Sequence, residues 1–520
     1  MRLFGIFLAL VSATGMAAAQ TNAPTTNTTA SIEYPPNPGE PGAMGGTNAT
    51  PRRLSLQDCV EEALKHNIAL QIDRYNPQIA RYNLNGAYGY YDPTFSVSGQ
   101  HDHNEQGRQL LGGGFFVVGS ISDDNKFTSS LGGSLPWGTT YTLQGSTVNT
   151  YGTSAGGGFE DSSGSASGSI TQPLLKNFLI DSTRLNIRVA KNRLKYSELT
   201  LKLQIMQTIT SLEQAYNLLI YDRANVVVLQ KAVELAERLV AEDRKRLEVG
   251  SLAPLDLQSA EAQAAESRAA VLAAQSQLAT QERVIKLLIT DRFMEWADVA
   301  IEPTGTLSSN VPNLNLQESW RKGLTQGPAL LQAKLDVERV GITLKYDRNQ
   351  LLPELDVFGT YGYNGSGTEF SDALYEVQRH DAPFYTYGGR LSVPLSRTTV
   401  RNTYRSDKAT QQQLVLTLKQ LEQQTLIAID NDVGTIRANF DQVKATKTAR
   451  EYAEAALAAE EKKLQSGKST TYTVLQMQRD LTTASGTEIQ ALNNFNNSLS
   501  QLSLDEGSTL DRMNINFDVK

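Results

Sequence analysis

His101 and His103 lie two residues apart, so on a strand both imidazoles would share one face and could hold a metal ion together. No third ligand stands nearby in the sequence, and the pair reads as part of a loop. Ser98, three residues before His101, offers a nucleophile and a base, but no acid is placed to orient the imidazole. The runs Gly112-Gly113-Gly114 and Gly156-Gly157-Gly158 are not followed by Lys-Ser/Thr and open no helix, which excludes a phosphate-cradling loop. A single cysteine, Cys59, excludes an internal disulfide framework and a multi-thiolate cluster. No enzyme, cofactor or metal centre is expected. Lys and Arg total 48 against 55 Asp and Glu, and the net charge of −7 argues against a nucleic-acid partner. What remains are carboxylates beside two glycines: Glu242 and Asp243 before Gly250, and Glu460 and Glu461 before Gly467. Their role depends on the elements that carry them.

Those elements read as an exported chain. Arg2 precedes an apolar run from Leu3 to Val11, and Ala17-Ala18-Ala19 supplies small residues for cleavage, so residues 1–19 read as a signal peptide. Residues 20–51, rich in Thr, Asn, Pro and Gly, read as a flexible extension with nothing to bury. No cysteine follows the signal to accept a lipid. Beyond it, no stretch of about 18 uncharged apolar residues occurs, so any membrane insertion must use strands.

The rest is a duplication. Leu54-Ser55-Leu56 with Ala63-Leu64 returns as Leu314-Asn315-Leu316 with Gly323-Leu324, at an offset of 260, and Pro93 returns as Pro353 at the same offset. Gln172-Pro173-Leu174 answers Val393-Pro394-Leu395 at offset 221, and Arg246-Leu247 with Gly250 answers Lys463-Leu464 with Gly467 at offset 217. One structural repeat thus spans 52–301, a linker 302–313, a second repeat 314–505, and a tail 506–520. The first repeat carries 39 more residues between its prolines, enough for one additional long hairpin.

Within each repeat the hydrophobic period changes. Over 94–172, Phe95, Val97 and Gly99, then Tyr141, Leu143 and Gly145, then Ala166, Gly168 and Ile170 alternate with Ser, Thr and Gln. Over 354–393, Leu355, Val357, Tyr361 and Tyr363, and then Tyr385, Tyr387, Leu391 and Val393, do the same. A soluble sandwich would show more Ile, Leu and Val; these Gly-, Ser-, Thr- and Tyr-rich runs suit membrane strands around a wet interior. Asp102–Lys126 and Tyr151–Gly164 are polar and read as outer loops, and Trp137 sits at a turn where it could anchor at the lipid boundary.

The period then becomes helical over 174–290 and 395–505. Between Pro173 and Gly250 lie 76 residues without Gly or Pro, and between Pro394 and Gly467 lie 72 with only Gly434. A helix of that length extends on the order of 100 Å, several times a bilayer, and must project from it. Leu212, Leu219, Val226, Val233, Val240 and Leu247 mark one heptad seam, with Leu257, Ala264, Val271, Leu278 and Ile285 on the returning helix. Ile429, Ile436, Val443, Leu457 and Leu464 repeat it with an interruption at Arg450, and Val474, Leu481, Phe495 and Leu502 with one at Glu488. The expectation is two coiled-coil hairpins turning at Gly250-Ser251 and Gly467-Lys468. Two or three β-hairpins cannot close a membrane barrel, so several copies must share one.

Residues 54–505 resemble the TolC-type outer-membrane efflux proteins, through Leu54-Ser55-Leu56, the strands opened by Pro93 and Pro353, Thr171-Gln172-Pro173-Leu174, and the tip Arg246-Leu247-Glu248-Val249-Gly250 with Asp256-Leu257. The resemblance implies an α+β membrane protein. In it a homotrimer shares a β-barrel in outer-membrane lipid, continued by a periplasmic α-helical barrel that docks on an adaptor and an inner-membrane pump. The excess in the first repeat departs from the pattern: either a large extracellular hairpin tops a 12-stranded barrel, or six strands per chain build an 18-stranded one. The second tip has Thr473 where the first has Asp256, so the two need not dock alike.

The resemblance also assigns roles at the tips. Leu247, Gly250, Ser251, Leu252, Asp256, Leu464, Gly467, Lys468 and Ser469 are the adaptor-docking candidates, although these positions could equally do no more than form turns and caps. Glu242, Asp243, Glu460 and Glu461 are candidates for a periplasmic gate, or else a solvated helix face beside Lys462 and Lys463. A trimeric surface adhesin or stalk is the alternative, but strands in both halves and a helical end favour the duct.

Overall fold

The computed structural model describes residues 51–111, 115–117, 119–154, 157–250, 253–310 and 314–515. The expected signal peptide, nearly all of the N-terminal extension, and Ser251 and Leu252 lie outside the described residues. After β1 (Arg52–Leu54), the first repeat contains α1 (Leu56–His66), α2 (Ile68–Tyr88), β2 (Thr94–Gln106), β3 (Gln109–Leu111), β4 (Phe115–Val117), β5 (Ser120–Ser134), β6 (Thr140–Ser154) and β7 (Gly157–Pro173). It continues through α3 (Ser182–Glu248), α4 (Pro254–Ile289) and α5 (Phe293–Trp296) to β8 (Ile301–Pro303), which pairs in parallel with β1 at the start of the expected linker. The second repeat contains α6 (Leu316–Gln326), α7 (Pro328–Gln350), β9 (Glu354–Gly367), α8 (Phe370–Arg379), β10 (Ala382–Ser392), α9 (Thr398–Gln465) and α10 (Thr471–Asp505), and α11 (Thr509–Arg512) follows. α1 and α6 stand in the expected register of 260, each opened by a capping side chain, Ser55 and Asn315.

One antiparallel sheet has the order β10-β9-β7-β6-β5-β2, so the chain contributes six strands to it. The extra hairpin of the first repeat is β5–β6, inserted within the sheet rather than standing above it. Phe95, Leu131, Leu143, Gly168, Tyr361 and Tyr385 form one cross-strand row over all six strands. The adjacent row on the opposite face is Thr94, Gly132, Thr142, Ser169, Thr360 and Thr386. Phe95, Leu143, Tyr361 and Tyr385 are exposed, which is the pattern of a lipid-facing side backed by a wet one.

The loop expectation for Asp102–Lys126 and Tyr151–Gly164 is wrong in large part. β2 runs to Gln106, β5 starts at Ser120, β6 runs to Ser154 and β7 starts at Gly157, so His101 and His103 are strand residues. Crossing a bilayer takes about 9–11 residues, whereas β5, β6 and β7 have 15, 15 and 17. The apolar rows set the register, and the backbone ladder then propagates beyond them with no apolar face needed. On the Phe95 side of this extension lies α8. Its Ala373 is buried against Gly164 and Gly365, and a β-carbon at Gly365 would collide with the Ala373 carbonyl oxygen.

α3 and α9, 67 and 68 residues long, each extend on the order of 100 Å. In the half of the molecule next to the sheet, α2 packs on α3, α3 on α7, and α7 on α9; farther away the neighbours are α4, α3, α10 and α9. The molecule is therefore a wall, ending at β2 and β10, at α2 and α9, and at α4 and α9. α2 exposes Ile68, Ile72, Tyr75, Ile79 and Tyr82 at alternating spacings of four and three, while Leu70 and Pro77 are buried.

Most of the expected heptad residues are buried, including Leu212, Leu219, Val226, Ile429, Ile436, Val443, Leu457 and Leu464. Val233 and Val240 are only half-buried; Leu235 and Leu239 replace them, packed with Leu457, Leu464, Val474 and Leu475. There α3 meets both α4 and the second hairpin, and one heptad row cannot face two partners, so the seam rotates. The two interruptions solve each other: Arg450 Nε donates to Glu488 Oε2 across α9 and α10.

Glu488→Ala should therefore cost about 1–3 kcal/mol by removing the Nε partner of a half-buried guanidinium and leaving it only the exposed Glu454 at 3.0 Å, whereas replacing both Arg450 and Glu488 by Leu should restore or raise the melting temperature. Helical melts followed by circular dichroism test this, and equal destabilisation by both variants would count against the pair.

Candidate functional site

The hairpin ends gather the candidate residues. The first turn is made by Gly250, at φ +74°, whose N–H donates to Leu247 O at 2.9 Å. The second is made by Gly467, at φ +70°, donating to Leu464 O at 3.1 Å, with Lys468 N donating to Lys463 O at 2.9 Å. Both glycines take the left-handed conformation that terminates a helix and that a β-carbon disfavours. The returning helices start differently: Pro254 opens α4 with Asp256 in its first turn, while Thr470 caps α10 through Thr473 N. Leu464 is buried and Leu247 half-buried, so these two support the turns more than they offer surface. Gly250, Gly467 and Lys468 are exposed, and Asp256 and Ser469 half-buried.

Three apolar side chains at the tips were not singled out from the sequence. Val249, Leu255 and Tyr472 are 78%, 71% and 70% exposed. The available signal was that they fall out of phase with the heptad seams.

The four carboxylates do not form a free acidic cluster. Asp243 is fully buried; Thr471 Oγ1 donates to its Oδ1 at 3.1 Å, its Oδ2 has no partner, and burial raises its pKa. Lys463 Nζ and Ser469 Oγ donate to Glu460 at 2.7 and 2.5 Å, tying α9 to its own turn and lowering the Glu460 pKa. Arg238 on α3 pairs with Glu461 on α9 at 2.9 Å. Glu242 is half-buried. Together with Arg479 on α10, which donates to Gln263 and Glu266 on α4, these contacts stitch one hairpin to the other.

Further polar contacts continue the stitching. Arg512 reaches Glu213, Asn217 donates to Asn497 at 3.1 Å, and Gln478 donates to Leu235 O at 3.5 Å. Within the second hairpin the contacts are instead those of Ile429, Val433, Ile436, Val443, Ala491 and Phe495. Apolar seams hold each hairpin together; between the two, Leu235 and Leu239 pack on Leu457, Leu464, Val474 and Leu475 near the tips, and the polar contacts beside that cluster are the ones that water can replace when the hairpins move.

Asp222 on α3 is also buried with an unpartnered oxygen, and burial pushes its pKa up to about 6. A raised carboxyl pKa costs nothing when the group is protonated in both folded and unfolded states, and penalises the fold as pH climbs past the unfolded value toward and beyond 6. Asp222→Asn should accordingly stabilise the protein by about 1–3 kcal/mol at pH 7 and change little at pH 4. Thermal melts at the two pH values check this, and a pH-independent effect would contradict it.

The histidine pair is placed otherwise than expected. His103 Nδ1 lies 2.6 Å from Asp123 Oδ1, and His101 faces Asn125 Oδ1 at 2.8 Å and Asp123 at 3.6 Å. Strand pairing supplies the acid that the sequence did not reveal, yet among the described residues no group of three such ligands is arranged to hold a metal ion.

A family model described as outer membrane efflux protein matches residues 134–289 and 321–504, more than half of the chain. No curated protein matches the chain. Among solved structures, CusC is 14% identical with a TM-score of 0.65, covering 87% of this chain and 92% of its own. VceC from Vibrio cholerae is 17% identical with a TM-score of 0.64, covering 87% and 96%. The open state of the MtrE outer membrane channel from Neisseria gonorrhoeae is 15% identical with a TM-score of 0.61, covering 88% and 89%. At these identities the likeness is one of fold.

Proposed function

Because the chain belongs to the outer membrane efflux protein family, we propose that it is the outer-membrane exit duct of an export assembly, passing substrates from the periplasm to the outside. The observation that carries this reading is a single continuous wall, apolar-faced sheet running into helices far longer than a bilayer, with unfilled edges on both sides. An open sheet edge is prohibitive in lipid, and the two edge strands, β2 and β10, run in opposite directions, so copies can join them in the antiparallel sense already used throughout the sheet. Three copies, the number the family implies, give eighteen strands, a size that leaves an aqueous lumen.

The helices then lie in the periplasm, and their tips meet an adaptor that bridges to an inner-membrane pump. Val249, Leu255 and Tyr472 join Gly250, Gly467, Lys468 and Ser469 as the surface offered to it. Opening consists of the second hairpin moving against the first, with Asp243 and Thr471, Arg238 and Glu461, and Arg479 with Gln263 and Glu266 as the contacts exchanged, while Glu460 and Ser469 keep the second turn intact. The carboxylates thus act as latches within a chain rather than as a free acidic ring. The surface-adhesin reading has no support in the family match.

Imaging of the purified oligomer tests the proposal. Three copies around one eighteen-stranded barrel are expected; a stable soluble monomer, or a barrel closed without β2 meeting β10, would overturn it.

A further inference from the structure

We propose that the sheet-proximal ends of α3 and α9 form a binding site for anionic phospholipid headgroups of the periplasm-facing leaflet, an inference that rests on the outer-membrane reading above. Arg184, Arg188 and Lys191 occupy positions i, i+4 and i+7 at the start of α3, one face of the helix. Arg401, Arg405 and Lys408 repeat that spacing at the start of α9, at the same offset of 217 that relates Gly250 to Gly467. Two repeats that have diverged at most positions keep the same three cations in the same place.

The placement runs against the helix's own electrostatics. A helix N-terminus carries partial positive charge and favours anions, yet neither first turn contains an acidic residue and both helices begin with cations. Asp181 caps α3 through Arg184 N at 2.8 Å, and Asp407, half-buried, interacts with Asp347 on α7. Arg188, Lys191, Arg401, Arg405 and Lys408 form no ion pair with any described residue of the chain. An arrangement that concentrates unneutralised positive charge in this way is stabilised by an external anion, and the paired guanidinium forks suit a phosphate group.

The surroundings indicate that the anion carries a lipid tail. Between β7 and α3, Leu174, Leu175, Phe178 and Leu179 are all exposed, with Leu174 in phase with Ile170 on the apolar face of the sheet. Val393 and Leu395 are exposed at the equivalent place between β10 and α9. A shallow groove between α3 and α7 is lined by Leu179, Ile180, Arg184, Arg188, Lys345 and Tyr346, so apolar and cationic groups meet in one cleft just below the strands. Lipid contact above and cationic contact below is the order in which acyl chains and phosphate occur in a leaflet.

The assembled full-length protein, inserted into vesicles of equimolar phosphatidylcholine and phosphatidylglycerol and then extracted in mild detergent, should retain phosphatidylglycerol several-fold over phosphatidylcholine by native mass spectrometry. Raising salt should erase that preference. So should the variant R184Q/R188Q/K191Q/R401Q/R405Q/K408Q, whereas R184K/R188K/R401K/R405K should keep most of it. If the six-site variant fails to assemble, R184Q/R188Q/K191Q alone should lower the enrichment by about half, on equal contributions from the two stripes. Equal retention of both lipids by the wild type, or enrichment unchanged by the glutamine substitutions or by salt, overturns the site. Failure to enter vesicles of either lipid would instead overturn the membrane reading on which it rests.

Discussion

Replacing Ile72 and Ile79 together by Asp should abolish the assembled channel while leaving the chain folded. Both side chains are exposed, 62% and 54%, on a helix whose other face buries Leu70 and Pro77 against the rest of the protein. An unpartnered stripe of Ile68, Ile72, Tyr75, Ile79 and Tyr82 has the spacing of a coiled-coil seam, and α9, at the other end of the wall, is the surface it would meet in the next copy. Burying an Ile contributes about 1.5–3 kcal/mol, so the double change removes roughly 3–6 kcal/mol per interface before the cost of desolvating two carboxylates. At 1.4 kcal/mol per tenfold, association weakens by at least about a hundredfold at each interface. Molecular mass in detergent would show monomer with a native-like helical spectrum. A trimer persisting in the double variant would mean that α2 faces lipid, solvent or a different partner.

The second large effect concerns the tips. Thr471→Val removes the hydroxyl that donates to the buried Asp243, leaving it Arg246 at 3.9 Å, and Arg238→Ala with Arg479→Ala cuts the charged contacts between the hairpins near the tips. Losing the partner of a buried carboxylate costs about 1–3 kcal/mol, and the exposed pairs about 0.2–1 kcal/mol each. The triple variant should favour separated hairpins by roughly 1.5–5 kcal/mol, an increase of about tenfold to several-thousandfold in the open population. Single-channel conductance in planar bilayers reads this directly. Burial raises the Asp243 pKa, so ionisation penalises the closed tip as pH rises through and above the ordinary carboxylate range. Opening by Thr471→Val should thus grow with pH, and adding Asp243→Asn should remove that slope. A triple variant with wild-type conductance at every pH would show that these contacts do not hold the mouth.

Much of the architecture was legible in the residues because it rests on periodicity. Alternation at Phe95, Val97, Leu143 and Ile170, heptads at Leu212, Leu219, Ile429 and Ile436, and glycines at 250 and 467 are local signals, and each corresponds to an element of the expected kind. The offset of 260 that relates Leu54 to Leu314 also relates the start of α1 to that of α6. Where local pattern falls silent, the expectation failed. The outward halves of β2, β5, β6 and β7 are mostly polar, with only Ile121, Val148, Tyr151 and Phe159 to mark a face, and the cross-strand ladder makes them strands.

The sequence by itself determined the class of wall, because the change from a period of two to one of three and a half dictates sheet below lipid headgroups and hairpins beyond them. Only the tertiary structure decided what lies opposite what. Asp123 comes to His103, Glu488 to Arg450 and Thr471 to Asp243 across separations of 20, 38 and 228 residues, and the strand count became six because β5–β6 entered the sheet. Such pairings depend on register and on which helix faces two neighbours at once. No single segment encodes either, since both are settled by the packing of several segments together.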